Sequence, residues 1–276
     1  MLESGLFPQL EYAVPGGAQQ GRSQRNRDEL IPYFCACNMN KKIHTNDLGI
    51  IDYQKAWDYQ EQLLQENVRI KQALAKGEIP PGQAKETTHY LLFCGHPHIY
   101  TLGKSGHMEN LLLDDHQLQD KGISFANTNR GGDITYHGPG QVVGYPILDL
   151  EHFFTDIGKY LRFLEEVIIR TLADYGVKGD RSPGETGVWL DPHDPARARK
   201  ICAMGVRCSR WVTMHGFALN VNTDLNYFGN IVPCGISDKK VASLHEELGR
   251  EVPEAEVKAK ISKYFAEVFE AEMIMD

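Results

Sequence analysis

Beyond residue 39 the apolar positions recur with two different periods. Ala56, Leu63, Leu64, Ile70 and Leu74 stay on one helical face, which predicts a helix capped by Asp52 or Asp58 and ended by Gly77 with Pro80-Pro81-Gly82. Ile157, Leu161, Leu164, Ile168 and Leu172 repeat the pattern within 154–175, with Gly176 closing it, and Val257, Ile261, Phe265 and Val268 repeat it behind Pro253. Ser243-Leu244-His245-Glu246 is a capping box for a short helix ended by Gly249. Between these lie β-rich runs at 88–94, 99–102, 141–148, 186–190, 200–208 and 211–221, with 48–51 as a short strand or loop entry. The last two runs join around Ser209-Arg210, which predicts a meander. Long helices separated by groups of strands predict an α+β fold, a mixed sheet with flanking helices.

Residues 1–38 break this patterning. Pro15-Gly16-Gly17 and the polar run from Gln19 to Arg27 follow neither period, so 1–38 is read as a disordered or non-native leader, Met39 as the natural start and 39–276 as one domain. A composition of 42% hydrophobic and 24% charged residues excludes disordered, collagen-like and coiled-coil classes. The net charge of −8 argues against a surface built to grip nucleic acid. Six cysteines without a C-x-x-C pair point to reduced thiols, and the chain shows neither a secretory start nor an apolar run long enough for a bilayer. The expectation is a cytoplasmic protein with no membrane contact. Cys35 and Cys37 lack a second ligand pair, and His96-Pro97-His98 with His107 matches no metal spacing, so no metal is expected. Within 195–210, Arg197, Arg199, Lys200, Arg207 and Arg210 stand without an acidic residue, a segment suited to an acidic protein partner.

The densest chemical signal is Arg130-Gly131-Gly132-Asp133-Ile134-Thr135-Tyr136-His137-Gly138-Pro139-Gly140. Glycines let backbone approach a ligand, and Arg130, Thr135, Tyr136 and His137 add groups that can fix one; the same pattern also suits a turn-rich connection. It matches neither of the two commonest nucleotide-phosphate loops. Cys234, between Pro233 and Gly235, is either a small packing residue or a nucleophile pointing into a cleft. Cys202 and Cys208 lie in strand-like runs and read as packing. Lys200, at the start of a strand, is either a solvated strand end or the cation that holds a thiolate. His137 and His215 stand near the glycines of the expected pocket.

Taken together, R-G-G-D-I-T-Y-H-G-P-G-Q-V-V-G-Y-P at 130–146, K-I-C-A-M-G-V-R at 200–207, H-G-F-A-L-N at 215–220 and P-C-G-I at 233–236 closely resemble the lipoyl(octanoyl) transferase family. The resemblance covers about 40 to 270 and extends more distantly to lipoate- and biotin-protein ligases, which implies their α+β catalytic core around an acyl pocket. It implies that residues 39–276 are a single octanoyltransferase catalytic domain needing no cofactor. Octanoyl-acyl carrier protein is the implied donor; lipoyl domains of 2-oxoacid dehydrogenase complexes and the glycine cleavage H protein are the implied acceptors; a monomer is the default. Cys234 is implied as the acyl-thioester residue and Lys200 as its partner. The implied substrate-binding segments are Arg130, Gly131, Gly132, Asp133, Ile134, Thr135, Tyr136 and His137, then Ala203, Met204 and Gly205, then Gly216, Phe217 and Ala218. Asp133 stands where other members often carry glutamine, and Cys202 is an extra thiol near the lysine. Tyr100, Leu102 and Tyr145 are expected to wall the acyl chain. The rival readings are an ATP-dependent lipoate-protein ligase and a non-catalytic acyl-binding module.

Overall fold

Alternating buried and half-buried positions over the first half of β1 (Lys42–Ile50) and the run of β2 (His89–Gly95), buried except at Tyr90, set the two strands side by side in parallel, joined by helix α1 (Tyr53–Ala75). The computed structural model describes residues 39–80, 83, 85–232 and 240–275. Cys35, Cys37, the leader as a whole and Cys234 therefore lie outside the described residues. Asp52, not Asp58, caps α1, its side chain accepting from Lys55 N at 3.1 Å.

The remaining elements are β3 (Ile99–Leu102), α2 (Asp115–Asp120), β4 (Ser124–Asn127), β5 (Ile134–His137), β6 (Gln141–Ile147), α3 (Ile157–Ala173), β7 (Gly179–Asp180), β8 (Val188–Leu190), β9 (Arg199–Ser209), β10 (Val212–Asn220), β11 (Lys240–Val241), α4 (Leu244–Leu248), α5 (Glu254–Phe269) and β12 (Glu272–Met275). One sheet runs β12-β1-β2-β6-β10-β9-β8-β7, with β11 paired to β9. Its pairs β12/β1, β1/β2 and β11/β9 are parallel and the others antiparallel, so the sheet is mixed and the fold α+β. The expected meander is β8-β9-β10. Its β9–β10 turn carries Arg210 (φ 49°) and Trp211 (φ 66°), both left-handed, as a two-residue hairpin turn of matching twist requires.

α1 covers one face, packing Ala56, Leu63, Leu64 and Val68 on Leu92, Val143, Tyr145, Met214 and Ala218. α3 and α5 cover the other, where Leu164, Ile168, Leu172, Val257, Ile261 and Phe265 meet Leu91, Val142, Phe217 and Leu219. A second sheet, β4-β3-β5, has its own apolar cluster of Tyr100, Leu102, Ile134, Tyr136 and Ile231. The sequence pattern did not reveal β4, β12 or α2, and it gave only the last residues of β1. These are short or half-exposed elements whose polarity comes from pairing partners distant in sequence. The glycine-rich stretch read as a connection contains strand β5.

Candidate active site

Close backbone approach builds the site. Gly131 N donates to Val206 O at 2.9 Å, drawing the 130–133 segment onto β9. A Cβ at Gly205 would sit 2.6 Å from Gly131 O and 3.3 Å from Arg130 Cδ, so only glycine allows that approach. Gly216 lies just as close to the Gly144 carbonyl across the β10–β6 pair. Arg130, itself buried, donates through Nη2 to Thr101 O at 2.6 Å and Thr101 Oγ1 at 2.9 Å, tying this segment to β3 as well.

The arrangement lines a partly open cavity of about 260 Å³. Tyr53, Val143, Tyr145 and Ala218 line it with Arg130, Gly132, Asp133, Ile134, Thr135 and His137 of the glycine-rich segment. Ala203, Met204, Gly205, His215, Gly216 and Phe217 add the β9–β10 wall, and Trp189, Lys200, Gly184, Glu185, Thr186, Phe228, Lys240 and Val241 also border it. Lys200 Nζ stands 4.6 Å from the Trp189 ring centroid. Gly187, at φ +109°, donates its N–H to the buried carboxylate of Glu165 at 3.0 Å, which fixes the entry to β8. Arg162 and Arg181 reach the other Glu165 oxygen at 2.7 and 3.1 Å.

Desolvation favours the neutral forms of the histidines and tyrosines that line it. Burial pulls His137 well below the ordinary histidine value, with His96 and Arg130 acting in the same direction. His215 is pulled down to about 3 by burial and then by Arg130 and Arg207; its Nε2 lies 2.7 Å from Asn129 Oδ1. Burial pushes Tyr53 up to about 12 and raises Tyr145 well above the ordinary tyrosine value. His96 Nδ1 donates to Ile51 O at 2.8 Å, which leaves Nε2 to accept from Tyr145 OH at 2.8 Å.

Of the residues expected from sequence, the fold gathers Lys200, Arg130, Gly132, Asp133, Ile134, Thr135, His137, Ala203, Met204, Gly205, Gly216, Phe217 and Ala218 around one cavity. Gly131 acts through its backbone bond to β9, and Tyr136 faces away, stacked on Tyr227 at 4.9 Å with its hydroxyl 2.6 Å from His98 Nδ1. Strand alternation places Thr135 and Tyr136 on opposite faces of β5. Tyr145 lines the cavity, whereas Tyr100 and Leu102 belong to the cluster beneath the small sheet and do not. The arginines of 195–210 are also less available than their sequence suggests. Arg197 and Arg199 pair with Asp191, Arg199 with Glu247, and Arg207 with Glu61, acids that are remote in sequence or on another element. Tyr53, Gln141, Trp189 and Asn220 were missed, since nothing in their local spacing marks them. Among the described residues, no three or more His, Cys, Asp or Glu side chains are grouped to hold a metal, and no helix is long and apolar enough to cross a membrane.

The lipoyl protein ligase A/B catalytic domain matches residues 52–266 of this chain. The octanoyltransferase of Flavobacterium johnsoniae is 62% identical over 239 residues, covering 86% of this chain and 100% of that protein. That of Christiangramia forsetii is 60% identical over 238 residues, covering 85% and 99%. Among solved structures, a bipartite lipoate protein ligase of Thermoplasma acidophilum superposes with a TM-score of 0.60 at 18% identity, covering 86% of this chain and 87% of that one. A lipoate-protein ligase A bound with ATP gives 0.59 at 15% identity, covering 86% and 88%. With the RGG segment folded against β9 beside the cavity, the chain belongs to the lipoyl protein ligase A/B catalytic-domain family. Within that family it is an acyltransferase, its high-identity relatives being octanoyltransferases.

Proposed function

We propose that this acyltransferase carries octanoyl from octanoyl-acyl carrier protein to a specific lysine of lipoyl domains, through a thioester on Cys234. The observation that carries the reading is Lys200 bordering the same cavity as Tyr145, Val143, Phe217 and Ala218. That cavity offers an apolar wall for a chain and a cation for the thiolate that would attack it. Burying an acyl chain contributes ~0.8 kcal/mol per CH₂, which makes wall shape a selector of chain length. Cys234 enters from the P-C-G-I pattern alone; Lys240, six positions further along the chain, lines the cavity.

In the first half-reaction the Cys234 thiolate attacks the donor thioester carbonyl, the C–S bond to the carrier breaks, and the carrier takes the proton of the Lys200 ammonium to leave as its thiol, which leaves Lys200 neutral. Backbone N–H groups of the glycine-rich segments are the candidate stabilisers of the oxyanion. In the second, the acceptor ε-amine forms the C–N bond and the C–Sγ bond breaks; neutral Lys200 takes the amine's proton and, as the ammonium again, pairs with the released Cys234 thiolate. A thioester is already activated, so no ATP is consumed. The 2-oxoacid dehydrogenase lipoyl domains and the glycine cleavage H protein are the proposed acceptors, and the monomer the proposed working form.

Intact mass spectrometry after mixing enzyme with octanoyl-acyl carrier protein, without ATP, tests this. A hydroxylamine-labile gain of about 126 Da mapped to Cys234 is expected from the thioester chemistry. ATP-dependent modification of a lipoyl domain by free octanoate, with no adduct, would move the enzyme to the ligase chemistry. Stoichiometric binding without turnover would make it an acyl carrier.

A further inference from the structure

A chain of buried hydrogen bonds behind the cavity fixes one proton unambiguously. Asn220 Nδ2 donates to the Ala242 carbonyl at 3.0 Å, so its Oδ1 is an acceptor, and Gln141 Nε2 donates to it at 3.0 Å. Gln141 Nε2 also lies 3.2 Å from the Tyr136 carbonyl, which likewise can only accept. Two backbone carbonyls thus dictate both amide orientations, leaving Gln141 Oε1 to face His137 Nδ1 at 2.8 Å. Since Oε1 can only accept, Nδ1 carries the hydrogen and Nε2 carries a lone pair.

His137 lines the cavity, and its Nε2 bonds to no other described residue. The groups around the ring are Tyr53 of α1, stacked at 5.8 Å, His96 at the end of β2, at 5.7 Å, Arg130, and His215 of β10. None of these gives Nε2 a proton. The same chain reaches Lys200, because Ala242 N donates to the Lys200 carbonyl at 2.9 Å and Val241 pairs with Lys200. An acyl chain has no N–H or O–H to satisfy an acceptor on the wall; the attacking amine does.

We propose that Gln141 is a positioning residue that holds His137 as the Nδ1–H tautomer, so that its Nε2 accepts a hydrogen bond from the N–H of the lysine amine attacking the acyl-enzyme. This role rests on the acyl-cysteine reading above. His137 orients the amine, while the proton itself passes to Lys200. Gln141→Leu removes the tautomer lock without adding charge. Gln141→Glu keeps an acceptor at Nδ1 but favours the imidazolium, which has no Nε2 lone pair.

The experiment combines single-turnover kinetics of the two half-reactions with ¹⁵N NMR of the histidine-labelled full chain. In the wild type, the His137 signals, assigned through His137→Gln, should show protonated Nδ1 and bare Nε2, and Gln141→Leu should mix the tautomers. Gln141→Leu should acylate at near wild-type rate yet transfer to a lipoyl domain about 10–100-fold more slowly, the loss expected for a hydrogen bond made during proton transfer. Gln141→Glu should add to transfer a further acid limb from the His137 imidazolium, beyond the one set by Lys200 and the acceptor amine. His137→Gln, which keeps an oxygen near the Nε2 position, should transfer faster than His137→Asn. The proposal is overturned if both half-reactions slow equally in Gln141→Leu, if the tautomer is unchanged there, or if His137→Gln and His137→Asn transfer alike. Absence of any acyl-enzyme in the wild type would instead remove the acyl-cysteine reading and the amine's role with it, while the tautomer remains readable by NMR.

Discussion

Replacing Gly205 with alanine tests the central packing feature of the site. The added Cβ would stand 2.6 Å from Gly131 O, 3.3 Å from Arg130 Cδ and 3.4 Å from Arg130 Nη1. Ordinary contact begins near 3.4 Å, so the 130–132 backbone must retreat by about 0.8 Å. It cannot retreat freely, because Gly131 N is bonded to Val206 O one residue along the same strand and Arg130 is anchored on Thr101. Overpacking of this kind costs about 1–3 kcal/mol. In a domain of this size that lowers Tm by about 3–10 °C. The same shift moves a wall of the cavity by nearly 1 Å, for which about a hundredfold loss of kcat/KM is expected if the cavity holds the acyl chain as proposed. The assays are thermal unfolding and octanoyl transfer from carrier protein to a lipoyl domain. Gly229→Ala is the control, since its Cβ would meet nothing within 4 Å. If Gly205→Ala kept wild-type Tm and activity within twofold, the close approach would not organise the site.

Cys234→Ala should form no thioester adduct in the mass-spectrometric assay, and near-wild-type transfer by that variant would end the acyl-cysteine mechanism. Ala218→Leu, projecting into the cavity from β10, should cut transfer of octanoyl more than hexanoyl in a competition assay, at ~0.8 kcal/mol for each methylene excluded; equal loss for both chains would place Ala218 away from the tail. His89 is buried, and desolvation, then His152, lowers it to about 4, so the unfolded chain binds a proton that the folded chain refuses between about pH 6.5 and 4. Stability is then full above pH 6.5 and falls as pH drops through that window; urea titrations should show it, and His89→Gln should flatten the slope. Glu165→Ala should destabilise the fold by about 3 kcal/mol by stranding the Gly187 N–H and taking the shared carboxylate from Arg162 and Arg181, of which Arg181 keeps Glu166, and urea unfolding within 1 kcal/mol of wild type would count against it.

The legibility of this protein differs by element. α3 and α5 were readable because their apolar faces are wide and regular; α3 nonetheless begins at Ile157, where Asp156 supplies the cap, rather than at 154. Glu165 sits on the buried side of α3 among Leu164, Val167 and Ile168, and only the arginines and the Gly187 N–H that meet it explain a carboxylate there. Tyr100 and Tyr145 look alike in sequence, each in an apolar run, yet one packs beneath the small sheet and the other lines the cavity.

The sequence by itself determined helices α1, α3, α4 and α5, the central strands and the motifs that mark the family, because periodicity and turn chemistry are local and survive without contacts. Which strands pair, which face of each meets the cavity, and which cations stay available were decided by tertiary structure alone. Arg199 illustrates this, since its partner Glu247 lies on α4. So does His137, whose protonated nitrogen is set by Gln141, Asn220 and a carbonyl at residue 242, groups brought together only when β6, β10 and the chain after β11 are packed. Hydrogen bonds and ion pairs act over a few ångströms, and sequence separation carries no information about such distances until the chain has folded.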